Sequence, residues 1–166
     1  MGLVYKAKDF KTGMVGYSDA DWAGDVATAK STTGFTFLIS GAAVSWHSKL
    51  QTCVATSTQY AEYIAGGSTG KEGVWLRMVL EDLGVHQSRP TVIHADSQSA
   101  LKLMENPIVN GRTKHINVTY HYVREQIGNK ELKFVFVPTD RMVADIFTKA
   151  LAKEKVVYFR GQLGVK

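Results

Sequence analysis

Cysteine is almost absent from the chain: Cys53 stands alone, so no internal disulfide can form, and no Cys/His cluster has zinc-ligand spacing. A reducing compartment and a fold held by its own core are expected. Proline is scarce, at three residues, and no repeat or low-complexity tract occurs, which excludes Pro-rich linkers and solenoids. No run approaches the roughly 18 apolar residues of a membrane span, and the opening MGLVYKAKDFKTG lacks the apolar stretch of a signal peptide. A soluble, non-secreted protein without membrane contact is expected. Acidic residues are the minority, 15 against 20 basic ones; the net charge of +5 suits an anionic partner such as nucleic acid, and equally a merely soluble basic surface.

What is present is a core. With 166 residues, 45% of them hydrophobic, the chain has the size of one compact domain. Residues 14–152 form the expected domain, 1–13 a loosely attached leader, and 153–166 a tail that is a candidate helix. Strands are predicted over Met14 to Asp19, Thr33 to Ser40 and Ala43 to Ser48, the last two separated by Gly41. From Ser57 the period becomes helical: Ala61, Ile64, Ala65 and Ser68 share one face, then Trp75, Met78, Val79 and Leu83 another, so one helix covers the stretch, a break near Gly66 to Gly70 being left open. Trp46 and Trp75 are assigned to the core.

Thr91 to Asp96 reads as a buried strand running into a helix near Ser97 that Asn106-Pro107 ends. Ile116, Tyr120, Val123 and Ile127 mark a third helical face, and Glu131 to Val137 another strand. Asp140 then caps a helix with Val143, Ile146, Phe147 and Ala150 inward. The order β-β-β-α-β-α-α-β-α predicts an α/β fold, a mixed sheet with helices packed against it.

Four acidic residues stand where carboxylates can converge. Asp19 and Asp96 end apolar strands, and Glu62 and Asp145 lie in the first turns of helices, amid apolar neighbours. Charge in such surroundings is costly unless something positive compensates it. Oxygen ligands without Cys or paired His point to Mg²⁺ or Mn²⁺ shared with substrate phosphates, and a pair of such ions suits phosphodiester hydrolysis. Each residue taken singly also fits a helix cap, a turn or a solvated charge, with Asp21 and Asp25 competing for the role of Asp19.

The segments GYSDADWAGD (16–25), KSTTGFTFLISGAAVSWHSKLQ (30–51), STQYAEYIA (57–65), KEGVWLRMVLEDLG (71–84), HADSQSALKLMENP (94–107), RTKHINVTYHYVRE (112–125) and VPTDRMVADIFTKAL (137–151) together resemble one family. It is the ribonuclease H domain that ends the polyprotein of copia-type LTR retrotransposons. The resemblance implies a ribonuclease H-like fold, a five-stranded mixed sheet of three antiparallel strands plus parallel strands flanked by helices. It also implies an endoribonuclease that cleaves the RNA strand of RNA/DNA hybrids during reverse transcription. Asp19, Glu62, Asp96 and Asp145 would then bind two Mg²⁺ ions, with Mn²⁺ as a substitute. By that resemblance Asp19 bridges both ions, Asp145 completes the one that activates water, and Glu62 and Asp96 hold the one at the leaving oxygen. Products would carry 5′-phosphate and 3′-hydroxyl ends.

Hybrid recognition requires contacts to RNA 2′-hydroxyls and to phosphates of any sequence. The superfamily places a Ser-Gln or Asn-Gln pair after the third carboxylate, matched here by Ser97 and Gln98. Gln59, one turn before Glu62, is a further candidate, at a position where copia-type sequences often carry an acidic residue. Arg112 and Lys114, with His115 and Arg124, are candidates for the DNA strand's phosphates. His115 and His121 stay outside the catalytic set. Relatives often carry a His in the loop before the final helix; here that loop reads VPTDRMVAD, with Asp140 or Arg141 in its place. The resemblance further implies a polymerase domain of the same polyprotein as partner, a monomeric isolated domain, and a cytoplasmic location in virus-like particles, the nucleus being the other compartment. Two rivals remain: a catalytically silent hybrid-binding or connector domain, against which four intact carboxylates argue, and an integrase or resolvase on the same sheet.

Overall fold

A computed structural model describes residues 1–6, 13–105 and 114–166, with only the helical backbone of 114–120. Three strands come first: β1 (Val15–Ala20), β2 (Thr32–Ile39) and β3 (Ala42–Leu50). Helix α1 (Thr58–Asp82) leads to β4 (Thr91–Ala95), α2 (Gln98–Glu105), α3 (Lys114–Gly128) and β5 (Leu132–Phe136). Two 3₁₀ turns, Thr139–Arg141 and Val143–Phe147, precede α4 (Lys153–Gln162).

The strands form one five-stranded sheet in the order β3-β2-β1-β4-β5. β1, β2 and β3 pair antiparallel, whereas β4 joins β1 and β5 joins β4 in parallel. The antiparallel half is what short loops permit; the parallel half needs the crossovers that the helices supply. This is the predicted mixed sheet, with strand ends within two residues of those expected.

Both sheet faces are covered. Under α1, Phe35, Phe37, Ile93, Leu132 and Met14 pack with Leu76. On the other face Ala43 packs with Val143, Phe159 and Leu163, which brings the Val143–Phe147 turn onto β2 and β1 and the end of α4 onto β3. The 153–166 segment is thus largely helical and carries the fully buried Phe159. Of residues 1–13, the first six are held by main-chain bonds: Gly2 and Lys166 exchange hydrogen bonds, and Val4 donates to Gly164.

One open point is settled and two expectations are overturned. Helix α1 is continuous through Gly66 to Gly70. Its buried stripe there is made of small residues (Gly66, Thr69, Gly70, Gly73, then Leu76), because a Cβ on Gly70 would lie 2.8 Å from Val123 Cγ2. The helix needs glycine for the approach of α3, and tertiary contact offsets its low propensity. Consequently the face bearing Trp75, Met78 and Leu83 points outward. Neither tryptophan is core: Trp46 is 58% and Trp75 55% exposed.

The second correction concerns the segment after Pro138. No α-helix starts at Asp140; Met142 is extended between the two 3₁₀ turns, and Ala150 is exposed. Met142, Val143, Ala144 and Asp145 are all buried. Four consecutive buried residues cannot share one face of an α-helix, so enclosure on several sides favours the tighter, irregular path.

Candidate active site

Asp19 is the penultimate residue of β1, and its partner across the antiparallel pair is Gly34 of β2. A Cβ on Gly34 would lie 2.5 Å from Thr148 Cγ2 and 3.2 Å from the Ala144 carbonyl oxygen. The bare glycine backbone is therefore what lets the Asp145 turn sit directly on the sheet beside Asp19. Gly34→Val is expected to destabilise the fold by about 1–3 kcal/mol through overpacking and to displace the Asp145 turn. Unfolding midpoints and Mn²⁺ titration of the variant check this, and parent-like values in both would contradict the steric account.

Asp96 follows the last residue of β4, on the strand parallel to β1, so both carboxylates emerge at the same sheet edge. Asp145 arrives from the 3₁₀ turn Val143–Phe147. One carboxylate oxygen from each of Asp19, Asp96 and Asp145 lies within 4.8 Å of the others. Glu62 is not in that closest set. It lies in the second turn of α1, not the first, is buried, and accepts a hydrogen bond from the Ala20 backbone; its charge is raised in cost by Asp19 and Asp96.

Burial dominates the electrostatics. Asp19 is pushed up to about 6, chiefly by burial, with Lys149 and the Thr148 hydroxyl opposing and Asp145 and Asp96 adding to the rise. Glu62 is pushed up to about 9 by burial, then by the charges of Asp19 and Asp96. Among the described residues, Asp19 Oδ1 and Glu62 Oε2 are buried without a hydrogen-bond donor. Lone pairs left so are costly, and hard oxygen donors in this number fit a divalent cation. The lone thiol, Cys53, adds no soft ligand to this set.

Other groups frame the cluster. The Thr148 hydroxyl donates to Asp19, and the Thr139 hydroxyl donates to Asp96 Oδ2 at 2.7 Å. Lys149 Nζ is 2.9 Å from Asp145 Oδ1. The two threonines were missed in the sequence because hydroxyls carry no pattern of their own; for Lys149 the i,i+4 spacing from Asp145 was the one available signal. Trp22, three residues past Asp19, is 53% exposed and fixed by its indole N–H to the Ala55 carbonyl at 3.2 Å.

The candidate nucleic-acid residues fare differently. Ser97 Oγ accepts from Ala100 N–H at 3.2 Å, capping α2, and Gln98 opens α2 in an exposed position. Both directly follow Asp96. Gln59 donates to the Ser99 carbonyl at 2.9 Å, tying α1 to α2, so its amide N–H₂ is engaged with the main chain. Arg112, and the side chains of Lys114 and His115, lie outside the described residues. Arg124 donates to the Tyr63 hydroxyl at 3.3 Å, and His121 is exposed.

A five-stranded mixed sheet in this order, with carboxylates converging at one edge, defines a ribonuclease H fold. Solved structures agree: LC11-RNase H1 in complex with RNA/DNA hybrid superposes with a TM-score of 0.58 at 16% identity, over 82% of this chain and 94% of that one. The N-terminal RNase H domain of rv2228c from Mycobacterium tuberculosis gives 0.57 at 12% identity, over 89% and 96%. No protein-family model matches the sequence.

The chain is homologous to a segment of the retrovirus-related Pol polyproteins of plant transposons. It is 49% identical over 140 residues to the Pol polyprotein from transposon TNT 1-94 of Nicotiana tabacum, covering 84% of this chain and 10% of that protein. To the polyprotein from transposon RE1 of Arabidopsis thaliana it is 38% identical over 149 residues, 90% of this chain and 10% of the relative. The chain thus spans about a tenth of the length of these relatives. Among the described residues, no helix is long and apolar enough to cross a membrane.

Proposed function

We propose that this chain is the ribonuclease H of a retrotransposon Pol polyprotein, hydrolysing the RNA strand of RNA/DNA hybrids. The observation that carries the proposal is the convergence of Asp19, Asp96 and Asp145 within 4.8 Å, with buried Glu62 beside them, on a ribonuclease H sheet. Asp19 would serve two divalent ions, Asp145 one of them, and Glu62 and Asp96 the other. Two bound Mg²⁺ or Mn²⁺ ions supply activation of a water and stabilisation of charge on the leaving oxygen.

The chain's own residues hold this arrangement. Thr148 and Thr139 orient Asp19 and Asp96 by hydrogen bonds, and burial keeps competing water from Asp19 and Asp145. Attack of water on phosphorus breaks the bond to the 3′ oxygen, leaving 5′-phosphate and 3′-hydroxyl ends. The solved relative complexed with RNA/DNA hybrid supports that substrate here, and exposed Gln98 with Ser97 beside Asp96 suits 2′-hydroxyl contact. The Pol polyprotein relatives support a polymerase domain of the same polyprotein as partner; action in cytoplasmic virus-like particles, with the nucleus as the other compartment, belongs to the same proposal.

The proposal is tested with end-labelled RNA/DNA hybrid, duplex DNA and duplex RNA, each in Mg²⁺, Mn²⁺ or EDTA. Cleavage of the hybrid's RNA strand in either metal and none in EDTA is expected. Binding of hybrid without cleavage in any metal would instead identify a silent connector domain.

A further inference from the structure

The carboxylate cluster brings its own cation. Lys149 Nζ sits 2.9 Å from Asp145 Oδ1 and 3.5 Å from Asp19 Oδ2, against two carboxylates that are each 1% exposed. The placement is local in origin. Lys149 N–H donates to the Asp145 carbonyl at 3.2 Å, continuing a helical turn that sets the two side chains on one face. The proposed hydrolysis makes no use of this ammonium, yet it lies on atoms that a bound divalent ion would need.

An ammonium and a divalent ion cannot both occupy those oxygens, since their charges repel and the room is taken. The lysine stem has an exit: its side chain is 38% exposed, and four methylenes let the head swing to water while the stem stays in place. The carboxylates have no such freedom.

We propose that Lys149 is a resident counter-cation of the cluster, holding Asp19 and Asp145 together in the metal-free protein and displaced from them when divalent ions bind. The inference rests on the metal-site reading of these carboxylates given above. Lys149 then has two opposed effects. It stabilises the fold without metal, and it weakens ion affinity by competition.

The test compares the parent with Lys149→Met and Lys149→Arg by thermal unfolding in EDTA and by calorimetric titration with Mn²⁺. Lys149→Met is expected to unfold at lower temperature in EDTA, to bind Mn²⁺ on the order of tenfold more tightly, and to gain more than the parent from added Mn²⁺. Lys149→Arg, which keeps the charge, should match the parent in EDTA. A Met variant unfolded in EDTA but folded in Mn²⁺ supports the inference, and one unfolded in both overturns it. So does a Met variant with parental stability in EDTA or parental Mn²⁺ affinity. If Mn²⁺ binds neither parent nor variant, the metal-site reading itself falls; if it binds both alike, only the role of Lys149 does.

Discussion

Asp19→Asn is expected to lower hybrid cleavage by on the order of 10³-fold or more while leaving the fold intact. On the proposed mechanism the loss follows from the several kcal/mol of transition-state charge stabilisation that would depend on ions held by this carboxylate. The fold survives because Asn keeps the volume and still offers an oxygen to the Thr148 hydroxyl. It also removes a buried charge that Asp96 and Asp145 oppose. Lys149 retains Asp145 at 2.9 Å. Single-turnover cleavage and unfolding in EDTA, measured on the same preparation, separate the two effects. Parent-like cleavage by the Asn variant would remove Asp19 from the site.

In EDTA the protein should lose stability as pH rises through neutrality and above, and divalent metal should reverse the loss. Asp19 and Glu62 are raised to about 6 and about 9, from ordinary values of 3.8 and 4.5, burial being the main cause in both. Over the interval between those limits the folded chain holds protons that the unfolded chain has released. Stability therefore falls with pH, by about 1.4 kcal/mol per unit for each group in that condition. The full benefit is present below the unfolded values and is gone once pH passes the folded ones. His94 acts in the opposite sense, since burial lowers it and its cost appears only as pH falls below the ordinary histidine range. A comparison of urea midpoints at about pH 7 and about pH 8.5 isolates Glu62, since the folded-state titration of Asp19, at about 6, lies below that interval. A midpoint in EDTA that is equal or higher at the upper pH contradicts the reading. With Mn²⁺ the upper-pH midpoint should recover, because the ions then neutralise the carboxylates in place of protons.

Much of the architecture was readable without coordinates. The strands around Phe35 and Phe37 are rich in Phe, Val, Ile and Trp, the period becomes helical after Ser57, and Asp96 sits where an apolar strand meets a helix start. Such patterns are legible because backbone geometry imposes them locally. The carboxylates at strand ends were legible for the same reason: topology sends parallel strand ends to one edge.

The misreadings share one cause. Trp75 and Met78 looked like a core stripe because they are large and apolar, but the buried stripe of α1 belongs to Gly66, Gly70 and Gly73, where neighbours approach the backbone. Asp145 looked helical because its apolar neighbours are helically spaced, but enclosure on several sides holds it in a 3₁₀ turn.

Most element types, their order along the chain and the candidate acidic residues were thus legible in the sequence alone, since each depends on period and spacing within a few residues. Which face of α1 is buried, how Gly34 admits the Asp145 turn, and that Thr148 reaches Asp19 across 129 positions of chain were decided only by the tertiary structure. Contacts between distant segments follow from how whole surfaces fit, and no local pattern encodes that fit. The cation inside the cluster, Lys149, belongs to both levels: its spacing from Asp145 is local, and its meeting with Asp19 is tertiary.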